Sequence, residues 1–202
     1  MSEPVVTTRI DQRGLAHVTL NRPEVNNAYN DQLIAELLEG VLTLSANEDV
    51  KMLVLRGNGR FFQAGADLSF MKTLGEQPFE TNLEMSRMTT DVVRYLDECP
   101  KPTMALVQGG AFGGGLGILS ACDVVIASRE AVFSVTEVRW GLVAGPILPQ
   151  LSAAMGHRNV RRYALSAERF GADRARELGL VHEVCETGAL EEYQAVRDRG
   201  DG

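Results

Sequence analysis

The chain has 202 residues, a net charge of −7, 45% apolar residues and 23% charged residues. That composition belongs to a folded, acidic chain, and the length suits one domain. A deficit of Lys and Arg argues against nucleic acid as a partner, because that binding depends on clustered cations that neutralise phosphates. Cys99, Cys122 and Cys185 are widely spaced with no CxxC pair, so neither a disulfide framework nor a zinc or other metal site follows. The start, MSEPVVTTRI, lacks the basic and apolar regions of a signal peptide. The apolar stretch 103–127 is broken by Gln108, Asp123 and glycines, short of the ~20 continuous residues of a membrane helix. The expected location is the cytoplasm, away from membranes.

In chain order, LAHVTL (15–20) predicts a strand that stops at the turn Asn21-Arg22-Pro23. Asn30 is placed to cap a helix whose stripe is Leu33, Ile34, Leu37, Leu38, Val41 and Leu42. MLVLR (52–56) predicts a strand buried on both faces. A helix follows within 75–98, stopped by Pro100 and Pro102. TMALV (103–107) and DVVIA (123–127) are two more buried strands, 132–138 a further extended stretch, and the chain beyond Pro149 is mainly helical with a short strand at 180–184. This alternation predicts an α/β fold with crossover connections.

Three segments carry chemistry. VQGGAFGGGLG (107–117) holds six of the twenty glycines directly after a buried strand. A tight turn accounts for one or two of them. A dinucleotide fingerprint fails at Ile118, and a P-loop fails for want of Lys followed by Ser or Thr. Bare backbone leading into a helix instead offers N–H groups to a developing oxyanion. FFQAGADL (61–68) places small residues before Asp67, which also suits the start of a helix. FSVTEVRWGLVAGP (133–146) sets Glu137 among apolar residues, where an unpaired carboxylate has a raised pKa. On a strand, Glu137 and Arg139 would share a face and could pair.

Together with LAHVTLNRPEVNNAYN (15–30) and YALSAERFGADRARELGLV (163–181), these segments resemble the crotonase superfamily of enoyl-CoA hydratases and isomerases along nearly the whole chain. The resemblance implies a spiral of ββα units over about 1–150 and a helical region over about 150–202, in a single acyl-CoA domain. The chain closes on the polar stretch EEYQAVRDRGDG, so the expected helical region is shorter than the family's. The resemblance also implies an oxyanion hole from the N–H groups of Ala66 and Gly114, with Glu137 as the proton-transferring acid. Val25, Ala28, Ala64, Asp67 and Leu68 fall at coenzyme-contacting positions. No cofactor is implied beyond the coenzyme A of the substrate, and the family's assembly is a homotrimer or a dimer of trimers.

Where two-glutamate hydratases carry their other glutamate, this chain has Gly117. One carboxyl could serve both steps of a hydration, or the reaction could be an isomerisation; a non-catalytic acyl-CoA binder is a third reading. GGGLG with TEVRWGL and RYALSAERFG is most similar to the branch hydrating glutaconyl-type thioesters, 3-methylglutaconyl-CoA and isohexenylglutaconyl-CoA. Gly117 is expected to leave room for a branched acyl group, and Arg139 is a candidate for its distal carboxylate. Arg158, Arg161 and Arg162 are read as a solvated or subunit-facing surface.

Overall fold

The structure, a computed structural model, describes residues 4–186 and 188–190. The closing stretch 191–202 lies outside the described residues. The chain begins with β1 (Val6–Ile10) and β2 (Leu15–Leu20), an antiparallel pair. Helix α1 (Asp31–Ala46) is capped by Asn30, whose side chain accepts from the Leu33 N–H at 3.0 Å. It buries Leu33, Ile34, Leu37, Val41 and Leu44, while Leu42 of the expected stripe faces out. Then follow β3 (Met52–Gly57), α2 (Leu68–Gly75), α3 (Phe79–Asp97), β4 (Thr103–Val107), β5 (Gly110–Phe112) and α4 (Gly114–Ser120). The remaining elements are β6 (Val124–Ser128), β7 (Val132–Ser134), α5 (Leu148–Met155), α6 (His157–Ser166), β8 (Phe170–Gly171), α7 (Ala172–Glu177) and β9 (Glu183–Cys185).

Six strands form one sheet in the order β1-β2-β3-β4-β6-β9, parallel from β2 onward. Their interiors are apolar on both faces, as a parallel sheet covered on two sides requires. Leu53, Leu55, Ala105 and Val107 point into the main core with α1, α3 and α4, whereas Val54, Met104, Leu106 and Ile126 form a smaller cluster on the other face. A second sheet, β5-β7-β8, stands at the carboxyl ends of the large one. Thus β4 leads to β5 and then α4, the ββα succession that the resemblance implies, and β6 leads to β7. Among the described residues, no helix is long and apolar enough to cross a membrane.

Two local expectations are corrected. β1 was not legible as a strand; it is held by β2 and by Glu36 of α1, whose carboxylate accepts from the Val5 and Val6 N–H groups at 2.8 Å each. The extended stretch expected over 132–138 ends at Ser134, because its ladder partners β5 and β8 have only 3 and 2 residues. The chain then turns, and Glu137 opens a 3-10 turn, Glu137–Trp140. Glu137 and Arg139 therefore do not share a strand face. Arg139 donates instead to the Ala167 carbonyl at 2.7 Å.

Candidate active site

The loop after β3 is held from three sides. Asn27, fully buried, donates through its amide to the carbonyls of Asn58, Phe61 and Phe62 at 2.9, 2.8 and 3.2 Å. The Phe112 N–H donates to the Gln63 carbonyl at 3.0 Å, which ties the loop to β5. The fully buried Gln63 side chain then clasps Gly65: its Oε1 accepts from the Gly65 N–H at 2.8 Å, and its Nε2 donates to the Gly65 carbonyl at 3.2 Å. Gly65 adopts φ +87°, a conformation that needs glycine. Beside it, the Tyr29 N–H donates to Gly65 O and the Asp67 N–H donates to Tyr29 O, both at 2.9 Å. Between these bonds the Ala66 N–H has no partner among the described residues.

The second loop is fixed by the Gly113 N–H, which donates to Ser134 O at 3.0 Å. Gly113 has φ +51° and ψ −123°, and the next residue, Gly114, is the first of α4. A helix leaves its first N–H groups without intrahelical acceptors, so the Gly114 amide is free to donate outward. A Cβ on Gly114 would lie 2.7 Å from Tyr29 Cε1, and one on Gly115 would lie 2.6 Å from Gln63 Oε1. Tyr29 and Gln63 thus lie against both loops, and only glycine permits the approach.

Ala66 and Gly114 line one cavity of about 770 Å³, together with Glu137, Ala64 and Leu68. Val25, Ala28 and Asp67 lie outside its lining. Asp67 instead caps α2: it accepts from the Ser69 hydroxyl at 2.6 Å and the Ser69 N–H at 3.1 Å, and pairs with Arg22 at 3.0 Å. The Ser69 hydroxyl, then the Arg22 guanidinium and the backbone N–H groups, hold its carboxyl below the usual carboxylate range.

Glu137 is in a different situation. Its Oε2 is buried with no hydrogen-bond partner among the described residues, and burial raises its pKa above the ordinary value, with its own N–H and that of Thr136 opposing the shift in part. An acid so placed keeps its proton to higher pH than a solvated glutamate, which suits proton exchange near neutrality. Lys72, Arg139 and Arg169 also line the cavity and are exposed. A smaller chamber of about 220 Å³ adjoins it, sharing Tyr29, Met71, Gly114, Glu137 and Leu142. That chamber is walled mainly by apolar groups such as Leu74, Met85 and Ile147, with Asn82, Ser86 and Thr89 as polar members, and Glu137 is its one charged group among the described residues.

Gly117 does not open space to the substrate. A Cβ there would lie 2.2 Å from Ile147 Cγ2 and 3.2 Å from Val93 Cγ2, so the room expected at this glycine is filled by Ile147. Sequence reasoning also passed over Gln63 and Tyr29. A glutamine inside the apolar run Phe61–Phe62–Gln63–Ala64 was the available signal, since a buried amide must be satisfied.

A family model described as enoyl-CoA hydratase/isomerase matches residues 11–197. The chain belongs to this family. A Thermus thermophilus protein named for enoyl-CoA hydratase activity is 35% identical over 191 residues, covering 94% of this chain and 76% of that protein. The mitochondrial Delta(3,5)-Delta(2,4)-dienoyl-CoA isomerase of Rattus norvegicus is 34% identical over 183 residues, covering 86% of this chain and 56% of the isomerase. Among solved structures, an enoyl-CoA hydratase of Shewanella pealeana superposes with TM-score 0.89 at 36% identity, over 96% of this chain and 74% of the hydratase. This hydratase/isomerase chain thus spans little more than half of one relative and about three-quarters of the others.

Proposed function

We propose that this chain is an enoyl-CoA hydratase that adds water across an α,β-unsaturated acyl-CoA thioester. The observation that carries the reading is the placement of two unpaired amides, Ala66 and Gly114, on the same cavity as the partnerless carboxyl oxygen of Glu137. The thioester oxygen accepts from both amides, and each donor contributes on the order of 3 kcal/mol as enolate charge develops. Glu137 as carboxylate takes a proton from water while the oxygen bonds to the β carbon and the double-bond electrons move into the enolate. The protonated Glu137 then delivers that proton to the α carbon, and the carbonyl re-forms.

The acyl group we propose is a branched glutaconyl type, as in 3-methylglutaconyl-CoA or isohexenylglutaconyl-CoA. Two features support it: an apolar side chamber for the hydrocarbon branch, and cavity-lining cations, Arg139 among them, for a distal carboxylate. Ala64 and Leu68 would flank the pantetheine arm, with Val25, Ala28 and Asp67 near the outer part of the coenzyme. The proposed assembly is a homotrimer or a dimer of trimers, supported by exposed Trp140, Leu142 and Val143 beside the cavity.

Isomerisation is the second reading, favoured by the absence of a second carboxyl at Gly117 and by the rat isomerase relative. A panel of straight-chain and glutaconyl-type enoyl-CoA thioesters separates the two by product mass, since hydration adds one water and isomerisation adds nothing. The wild type should deplete the enoyl absorbance of 3-methylglutaconyl-CoA, while Glu137→Gln binds it and scarcely turns it over. Full activity in Glu137→Gln would remove the assigned role. Binding without turnover by both proteins would leave an acyl-CoA binder.

A further inference from the structure

With one carboxyl moving the proton, something else must hold the water in line with the β carbon. Gly117 cannot, because Ile147 occupies its surroundings. Tyr29 is differently placed. Its ring lies on the Gly114 Cα, and its backbone is bonded on either side of the Ala66 amide, so the phenol sits beside both proposed oxyanion donors. It lines the main cavity and the side chamber, sharing both with Glu137. Its hydroxyl makes no hydrogen bond to a described residue and lies close enough to Glu137 for that carboxylate's charge to act on it. Burial, with the nearby Glu137 charge, pushes its pKa up to about 12, so the group stays a neutral phenol and does not compete with Glu137 as a base.

We propose that the Tyr29 hydroxyl is the positioning group for the reacting water, accepting a hydrogen bond from the O–H that is not transferred. The inference rests on the hydratase reading above. The water's other O–H bond breaks toward Glu137, its oxygen bonds to the β carbon, and the double-bond electrons pass into the enolate. Tyr29 neither gains nor loses a proton. Its part is to point a water lone pair at the β carbon, a role absent from proton exchange at the α carbon, which needs only the two amides and Glu137.

Tyr29→Phe keeps the ring on Gly114 and deletes the hydroxyl. Hydration of crotonyl-CoA and 3-methylglutaconyl-CoA should fall about ten-fold or more in kcat, with KM little changed, as expected for losing a hydrogen bond made in the transition state. Exchange of the α protons of butyryl-CoA in deuterated water, followed by mass, should proceed at the wild-type rate. Unchanged hydration in Tyr29→Phe overturns the proposal. So does a parallel fall in hydration and exchange, which would make Tyr29 a prop for the amide at Gly114. A wild type that exchanges α protons but never hydrates would instead overturn the hydratase reading itself, with Tyr29→Phe then indistinguishable from it in both assays.

Discussion

A Cβ placed on Gly113 would lie 3.2 Å from Glu137 Oε1, with Thr136 Oγ1 at 3.0 Å. The acid therefore rests directly on a glycine whose φ of +51° and ψ of −123° together lie outside the left-handed helical region that other residues can enter. Glycine here supplies both the turn into α4 and the space for the carboxyl.

Gly113→Ala should cost about 1–3 kcal/mol of stability from backbone strain. It should also displace Glu137, with kcat falling more steeply than stability alone explains. Urea unfolding and turnover measured on the same preparation check both parts.

Burial raises the Glu137 pKa, and the sign of the linked effect follows. Below the ordinary value of ~4.3 both folded and unfolded chains hold the proton, and the group costs nothing. As pH rises through that value the unfolded chain ionises first, so stability falls until the folded carboxyl ionises too. Glu137→Gln should therefore melt above the wild type at neutral pH, by about 2–4 °C for each kcal/mol relieved, with the gap closing in acid. The acid limb of hydration should likewise lie above ~4.3, read from kcat/KM against pH.

Ile147 fills the space beside Gly117. Gly117→Ala should lose about 1–3 kcal/mol to overpacking, more than the roughly 1 kcal/mol that alanine gains over glycine in a helix. Adding Ile147→Val should restore part of the loss in thermal melts. An unaltered melting point for Gly117→Ala alone would show that this packing yields without strain.

Gln63 satisfies both polar groups of Gly65. Gln63→Ala leaves a buried N–H without its acceptor, at a cost of about 1–3 kcal/mol, and loosens the peptide that aims Ala66. The expected kinetic signature is a lower kcat with substrate affinity retained, tested by steady-state rates beside equilibrium binding.

Asp67 has a depressed pKa, so its contribution is present above the ordinary carboxylate range and is lost as pH falls through its folded value. Asp67→Asn keeps a capping oxygen but not the charge facing Arg22. Its melting point should sit below that of the wild type at neutral pH and meet it in acid. If Asp67→Asn weakened acyl-CoA affinity with no change in melting, the residue would belong to the coenzyme and not to the helix cap.

Helices and long strands were legible because periodicity is a local property. The apolar stripe from Leu33 and the capping Asn30 foretold α1, and MLVLR and TMALV foretold β3 and β4 as buried strands. β5 and β8 were not, since 3 and 2 residues are too few to display alternation. The glycine-rich run and the loop at 61–68 announced close backbone approaches, because so much bare main chain has little other use.

By itself, then, the sequence determined the α/β alternation, the two small-residue loops and the apolar setting of Glu137. Tertiary structure alone decided that Arg139 bonds to the Ala167 carbonyl, that Ile147 fills the space beside Gly117, that Asp67 faces Arg22, and that Tyr29 and Gln63 lie against the glycines opening α4. Each rests on groups brought together from distant parts of the chain, settled by which of them compete for the same space and the same hydrogen bonds. No local pattern records that competition.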